Sequence, residues 1–67
     1  MINVKINGDT HNLENALSLC DLLARLEIEE DKVAIEHNLA IVPKSTFDQV
    51  MVDDGDNLEI VHFIGGG

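Results

Sequence analysis

The sequence predicts an α+β fold: a mixed sheet of four to five strands with one main helix packed on one face. Three observations predict it. Ile2, Val4 and Ile6 alternate with Asn3, Lys5 and Asn7, and Gly8 follows directly. This is the period of a half-buried strand running into a strong hairpin signal. Leu19, Leu22, Leu23 and Leu26 recur at i, i+3, i+4 and i+7, which places one apolar stripe along a helix. Short apolar runs at 33–35, 39–42 and 58–64 then follow, bounded by polar residues and Gly or Pro, as strands are. One helix laid across one face of a sheet is the economical way to bury these faces together.

Each element has a local cause. After the Asn7-Gly8 turn, residues 10–14 form a returning strand, placed at a sheet edge because it is so polar. Ser18 caps the helix, with Asp21 three residues on as in a capping box, and Leu17 and Leu22 are spaced as a hydrophobic staple. Residues 27–31 form an acidic loop. Val33-Ala34-Ile35 and Leu39-Ala40-Ile41-Val42 read as two strands around His37-Asn38. Pro43 ends the second of them, because it has no N–H to give to a ladder. Residues 45–50 hold a single helical turn with Phe47 pointing inward. Asp53-Asp54-Gly55-Asp56-Asn57 is a turn in which Gly55 takes a positive φ, and residues 58–64 are the last strand. Residues 1–64 make one domain, and residues 65–67 are a flexible glycine tail.

Composition narrows the function. A chain of 67 residues buries only about 60% of its unfolded surface, so a core and a substrate cleft compete for the same residues. This argues against a self-sufficient enzyme. Thirteen acidic residues against four basic ones give a formal charge of −9. Phosphates are repelled by such a chain, which argues against nucleic acid and against anionic membranes. The same charge favours solubility and steered, salt-sensitive association with a protein that presents a positive surface. No apolar run approaches the ~20 residues that cross a bilayer, and Met1-Ile2-Asn3-Val4-Lys5 lacks the regions of a signal peptide. A lone cysteine, Cys20, suits a reducing cytoplasm.

Few residues suggest chemistry. Asp53, Asp54 and Asp56 lack the full spacing of a calcium loop and read as a plain turn. His11, His37 and His62 share no i, i+4 spacing, so chance placement is the expectation and no metal is called for. Cys20 lies near the helix start, which can lower a thiol pKa; a small hydrophobe at the margin of the core is the plainer account. The last strand says more. Leu58 and Ile60 share the helix side, and Val61 and Phe63 share the other, which one helix leaves uncovered. Exposed apolar groups beside a protruding tail suggest a docking surface, with screening by neighbouring side chains as the alternative. Gly65-Gly66-Gly67 then offers a thin peptide without Cβ atoms, able to thread a narrow channel and carrying the α-carboxylate of Gly67.

Ala40-Ile41-Val42-Pro43-Lys44, Phe47, Asp54-Gly55-Asp56 and the terminal Gly66-Gly67 together resemble the ThiS-type sulfur carrier proteins of thiamine biosynthesis, within the ubiquitin-like β-grasp superfamily. The resemblance covers essentially the whole chain; Gly65 extends the family's usual glycine pair to three. It implies that an E1-like adenylyltransferase activates the carboxylate of Gly67 with ATP and Mg. A sulfur donor, a cysteine desulfurase or a persulfide protein, then converts it to a thiocarboxylate. Thiazole synthase takes that sulfur into the thiazole ring. Gly66 and Gly65 would reach into the partner, with Val61 and Phe63 helping to hold it. No cofactor would be bound by this chain, which would be a cytoplasmic monomer when free. The small subunit of molybdopterin synthase, a ubiquitin-like modifier and a β-grasp contact module are the competing readings.

Overall fold

The computed structural model describes residues 1–63. Strands β1 (Ile2–Ile6) and β2 (Asp9–Leu13) form the opening hairpin, and β3 (Leu17–Ser18) leads into helix α1 (Leu19–Arg25). Strands β4 (Val33–His37) and β5 (Ala40–Ile41) form a second hairpin, β6 (Met51–Val52) returns beside β3, and β7 (Asn57–His62) comes last. The main sheet has the order β2-β1-β7-β4-β5, and β3 and β6 form a separate two-stranded ribbon. β1 and β7 are parallel, and the other pairs are antiparallel. The expected mixed sheet, polar edge strand and single main helix are all present, and the last strand in sequence is the middle strand in space.

The first hairpin follows its local code. Ile6 pairs with Asp9, leaving a two-residue loop in which Asn7 (φ 51°) and Gly8 (φ 88°) are both left-handed, the turn whose twist suits flanking strands. The second hairpin departs from expectation. His37 pairs with Ala40, so Asn38 (φ 50°) and Leu39 (φ 73°) form a second turn of the same kind. Leu39, expected in the strand, thus occupies a position that favours glycine and is 84% exposed. Pairing still runs past β5, since the Val42 N–H donates to the Ile35 carbonyl at 3.0 Å.

Helix α1 is short and closed at both ends. The first three N–H groups, which no helix can satisfy internally, all find acceptors: Leu19 on the Val50 carbonyl (2.9 Å), Cys20 on the Phe47 carbonyl (3.0 Å) and Asp21 on Ser18 Oγ (3.1 Å). At the other end Glu27 turns left-handed (φ 60°), its N–H reaching the Ala24 carbonyl at 3.1 Å while Ile28 reaches that of Leu23 at 2.9 Å. This paired closure satisfies the last carbonyls. The expected turn around Phe47 is a 3-10 turn at Lys44–Thr46. Strand β6 is unmarked in the sequence, because its Val50-Met51-Val52 run has no alternation.

The core lies between the helix and one face of the sheet. Leu19, Leu22 and Leu23 meet Val4, Ile6 and Leu13 from the first hairpin and Val33, Ile35, Leu58 and Ile60 from the central strands, with Phe47 and Val52 closing one end. No buried side-chain polar atom among the described residues lacks a partner.

Two predictions follow from the turns. Leu39→Gly relieves a left-handed φ without removing buried surface, and should raise stability by about 0.5–1 kcal/mol in urea denaturation. The turn before β7 gives the second. Asp56 lies below its ordinary carboxyl value of 3.8. Partial burial opposes this, but hydrogen bonds from His37 Nε2 (2.8 Å), the Asp53 N–H (2.8 Å) and Asn38 Nδ2 (3.2 Å) outweigh it. A depressed folded-state pKa stabilises the fold above the unfolded value, and the contribution disappears as pH falls through the folded value. Thermal melts of the native chain and Asp56→Asn should therefore differ most near neutral pH, and the difference should shrink as pH falls below the ordinary carboxyl value of 3.8.

Candidate functional site

The candidate site is the end of β7, and its position is set by how that strand is held. β1 covers little of it, since only Lys5–Asn57 and Ile6–Leu58 pair across the parallel junction. Asn7 makes up the difference. Its backbone N–H donates to the Leu58 carbonyl at 2.9 Å, its Oδ1 accepts the Ile60 N–H at 2.7 Å, and its Nδ2 donates to the Ile60 carbonyl at 3.0 Å. A carboxamide carries an acceptor and donors in one plane, so it continues the ladder where the backbone has turned away. Asn38 does the same on the other side. Its N–H donates to the Asn57 carbonyl and its Oδ1 accepts the Asn57 N–H, both at 2.8 Å. At the far end the Phe63 N–H donates to the Lys32 carbonyl at 2.9 Å. The backbone is thus fixed as far as Phe63.

The two faces of β7 differ as the alternation requires. Leu58 and Ile60 are buried under the helix, whereas Val61 and Phe63 are 60% and 58% exposed. Neighbouring side chains do not screen them. Val61 pairs across the ladder with Ala34, Glu59 with Glu36, and Glu36 in turn with Ile41. Ala34, Glu36, Ile41, Glu59 and Val61 therefore share the helix-free face and line a shallow groove of about 100 Å³. The alternation of β7 points to Val61 and Phe63 but says nothing of Ala34 or Ile41. A two-residue strand such as β5 is too short for its alternation to be phased, and only the unbroken Ala40-Ile41-Val42 run hinted at an apolar residue turned outward. Gly65, Gly66 and Gly67 lie outside the described residues.

Charge around the site is uneven. Lys32 pairs with Glu29 at 2.9 Å, and Lys44 pairs with Asp31. The hydrogen bond from Lys32 lowers the Glu29 pKa, and Glu29 raises that of Lys32 by the same contact. Two of the four basic residues are thus committed to the acidic loop. Among the described residues neither Glu36 nor Glu59 has an ion-pair partner.

The other residues weighed in the sequence fall into structural roles. The placement of His37 is not chance: its Nε2 meets Asp56 Oδ2 at 2.8 Å and locks the β4 end to the turn before β7. Proximity in space between residues 19 apart leaves no trace in sequence spacing. Asp54 Oδ1 accepts the Asn3 N–H at 2.8 Å, and Gly55 (φ 84°) donates to the Asn3 carbonyl at 2.8 Å, so this turn also ties down β1. No group of three or more His, Cys, Asp or Glu that could hold a metal occurs among the described residues. The Cys20 thiol donates to Glu30 Oε2 at 3.2 Å. That bond, partial desolvation and the charges of Glu30, Asp21 and Asp48 raise its pKa, opposite to the lowering that a helix start alone would cause. The thiol is kept protonated and poorly nucleophilic.

Comparison with known proteins places this geometry. The model of the ThiS family matches residues 4–67. The chain is 53% identical over 62 residues to a thiazole synthase of Paramagnetospirillum magneticum, covering 92% of this chain but only 19% of that protein. It therefore spans about a fifth of that relative's length. It is 38% identical over 65 residues to the sulfur carrier protein ThiS of Bacillus subtilis, covering 96% of this chain and 98% of that one. The crystal structure of a thiamine biosynthesis protein (ThiS) from Geobacter metallireducens superposes with a TM-score of 0.86 at 30% identity, covering 98% of this chain and all of the other. With a match from Val4 to the last glycine and a shared fold, this chain belongs to the ThiS family.

Proposed function

We propose that this chain is a sulfur carrier in thiamine biosynthesis whose working group is the carboxylate of Gly67. The single observation that carries the reading is that the strand leading to the glycines is the central strand of the sheet, paired on both sides and tied to Lys32 at Phe63. A rigid body that presents a peptide end is what a carrier needs. The names of the Bacillus and Geobacter relatives support the same reading.

The chemistry follows from the poor reactivity of a carboxylate. An ionised carboxylate resists attack, so it must first acquire a leaving group. An E1-like adenylyltransferase transfers AMP from ATP to a Gly67 oxygen and releases pyrophosphate; the nucleotide and its magnesium belong to that enzyme. The outer sulfur of a persulfide, formed by a cysteine desulfurase or persulfide protein, then attacks the acyl carbon and displaces AMP. A second thiol of the partner cleaves the S–S bond of the resulting acyl disulfide, leaving a thiocarboxylate on this chain and a disulfide between the two partner thiols. Thiazole synthase accepts that sulfur, and the occurrence of a homologous segment inside thiazole synthases supports the two acting together. Gly65 and Gly66 lack Cβ atoms and suit a narrow active-site channel, while Val61 and Phe63 supply apolar contact with the partner. Their exposure supports that role.

Intact-mass spectrometry of the chain recovered from cells should show one oxygen replaced by sulfur on a species ending at Gly67. Removing Gly67, or extending the chain beyond it, should abolish that species and the rescue of thiamine auxotrophy; rescue by either variant would overturn the proposal. Cys20 takes no part in it. Cys20→Ala should load sulfur to within about twofold of the native chain, and the native thiol should alkylate more slowly than free cysteine at pH 8, as its raised pKa requires.

A further inference from the structure

We infer that the helix-free face of the sheet is a seat for one arginine side chain of the protein that activates the tail, an inference that rests on the sulfur-carrier reading. The face is unpartnered, and its occupant is specified by shape and charge. The groove of about 100 Å³ is far below the roughly 300–1,000 Å³ of a small-molecule pocket. Its walls are apolar: Ile41 is 78% and Val61 60% exposed, with Ala34 of β4 paired directly opposite Val61. At its centre Glu36 and Glu59 stand directly opposite each other in the antiparallel ladder. Such partners have Cβ atoms about 4.5–5.5 Å apart, and like charges there destabilise a sheet.

Folding gains nothing from this pair, and no ion pair among the described residues involves it. A cation from outside removes the repulsion. Arginine fits better than lysine. Its planar fork meets carboxylate oxygens with two parallel N–H bonds, and its weakly hydrated faces lie comfortably against apolar side chains such as Ile41 and Val61. A second copy of this chain is a poor occupant, because it would bring the same carboxylates and a charge of −9 to the contact. The groove also shares Val61 with the exposed end of β7, close to Phe63. A protein that grips the tail therefore covers this face as well.

The test uses Glu36→Gln, Glu59→Gln and the double variant of the full chain, titrated calorimetrically against the E1-like adenylyltransferase of the same organism. Either single substitution should raise the melting temperature of the free chain by about 2–4 °C. The double variant should bind at least about tenfold more weakly and lose most of its salt dependence. Opposite signs for stability and binding are what a merely solvated pair would not give. Arginine-to-lysine scanning of the enzyme should find one position whose loss is non-additive with the double variant. Binding of the double variant within about twofold of native, or strict additivity at every arginine, overturns this inference alone. If the native chain neither binds the enzyme nor gains sulfur, the carrier reading falls with it.

Discussion

A strand in the middle of a sheet needs partners on both sides, and β7 has to recruit them from opposite ends of the chain. Its parallel neighbour begins at residue 2 and its antiparallel neighbour at residue 33. The parallel junction is only two residue pairs long, because β1 turns away at Asn7. Two asparagines complete the ladder from the tips of the two hairpins. Each is left-handed in its own turn, and each offers its carboxamide or N–H to β7. One residue type thus does two jobs at each hairpin: it permits the turn, and it fixes the register of a strand about 20 or 50 residues away. Every other feature of the site inherits its position from that register.

The register also decides which side chains face outward. One short helix covers one face of five strands, and Leu58 and Ile60 spend their burial there. The opposite face keeps Val61, Ile41 and Ala34 in solvent. Exposed apolar groups on so small a body contribute nothing to its own stability. The acidic charge is arranged to the same end. In the acidic loop Glu29 and Asp31 are paired with Lys32 and Lys44, whereas Glu36 and Glu59 are left facing each other.

The turn at 53–57 shows how a cluster of carboxylates can be wholly structural. Asp54 holds the start of β1, and Asp56 gathers His37, Asn38 and the Asp53 N–H. The three acidic side chains satisfy backbone and side-chain donors in a segment without regular structure, where those donors would otherwise compete for water. Cys20 is similarly spoken for by Glu30. These carboxylates and the thiol are engaged in holding the fold.

Local code was legible in the sequence wherever the cause was local. The Asn7-Gly8 turn, the Ser18 cap, the leucine stripe, the inward Phe47, the positive φ of Gly55 and the alternation of β7 all depend on neighbours within a few residues. Leu39 misled because its run of apolar neighbours looks like strand, while its conformation is imposed by the pairing of His37 with Ala40. β3 and β6 were invisible because two residues carry no period. The His37–Asp56 contact, the asparagine clamps and the opposition of Glu36 and Glu59 were equally hidden. Each joins residues from separate elements, and spacing along a chain says nothing about distance across a sheet. By itself the sequence determined the longer elements, the fold class and the run of glycines. Only the tertiary structure decided that the last strand is central and what stands beside it, because strand order and register are set by long-range pairing.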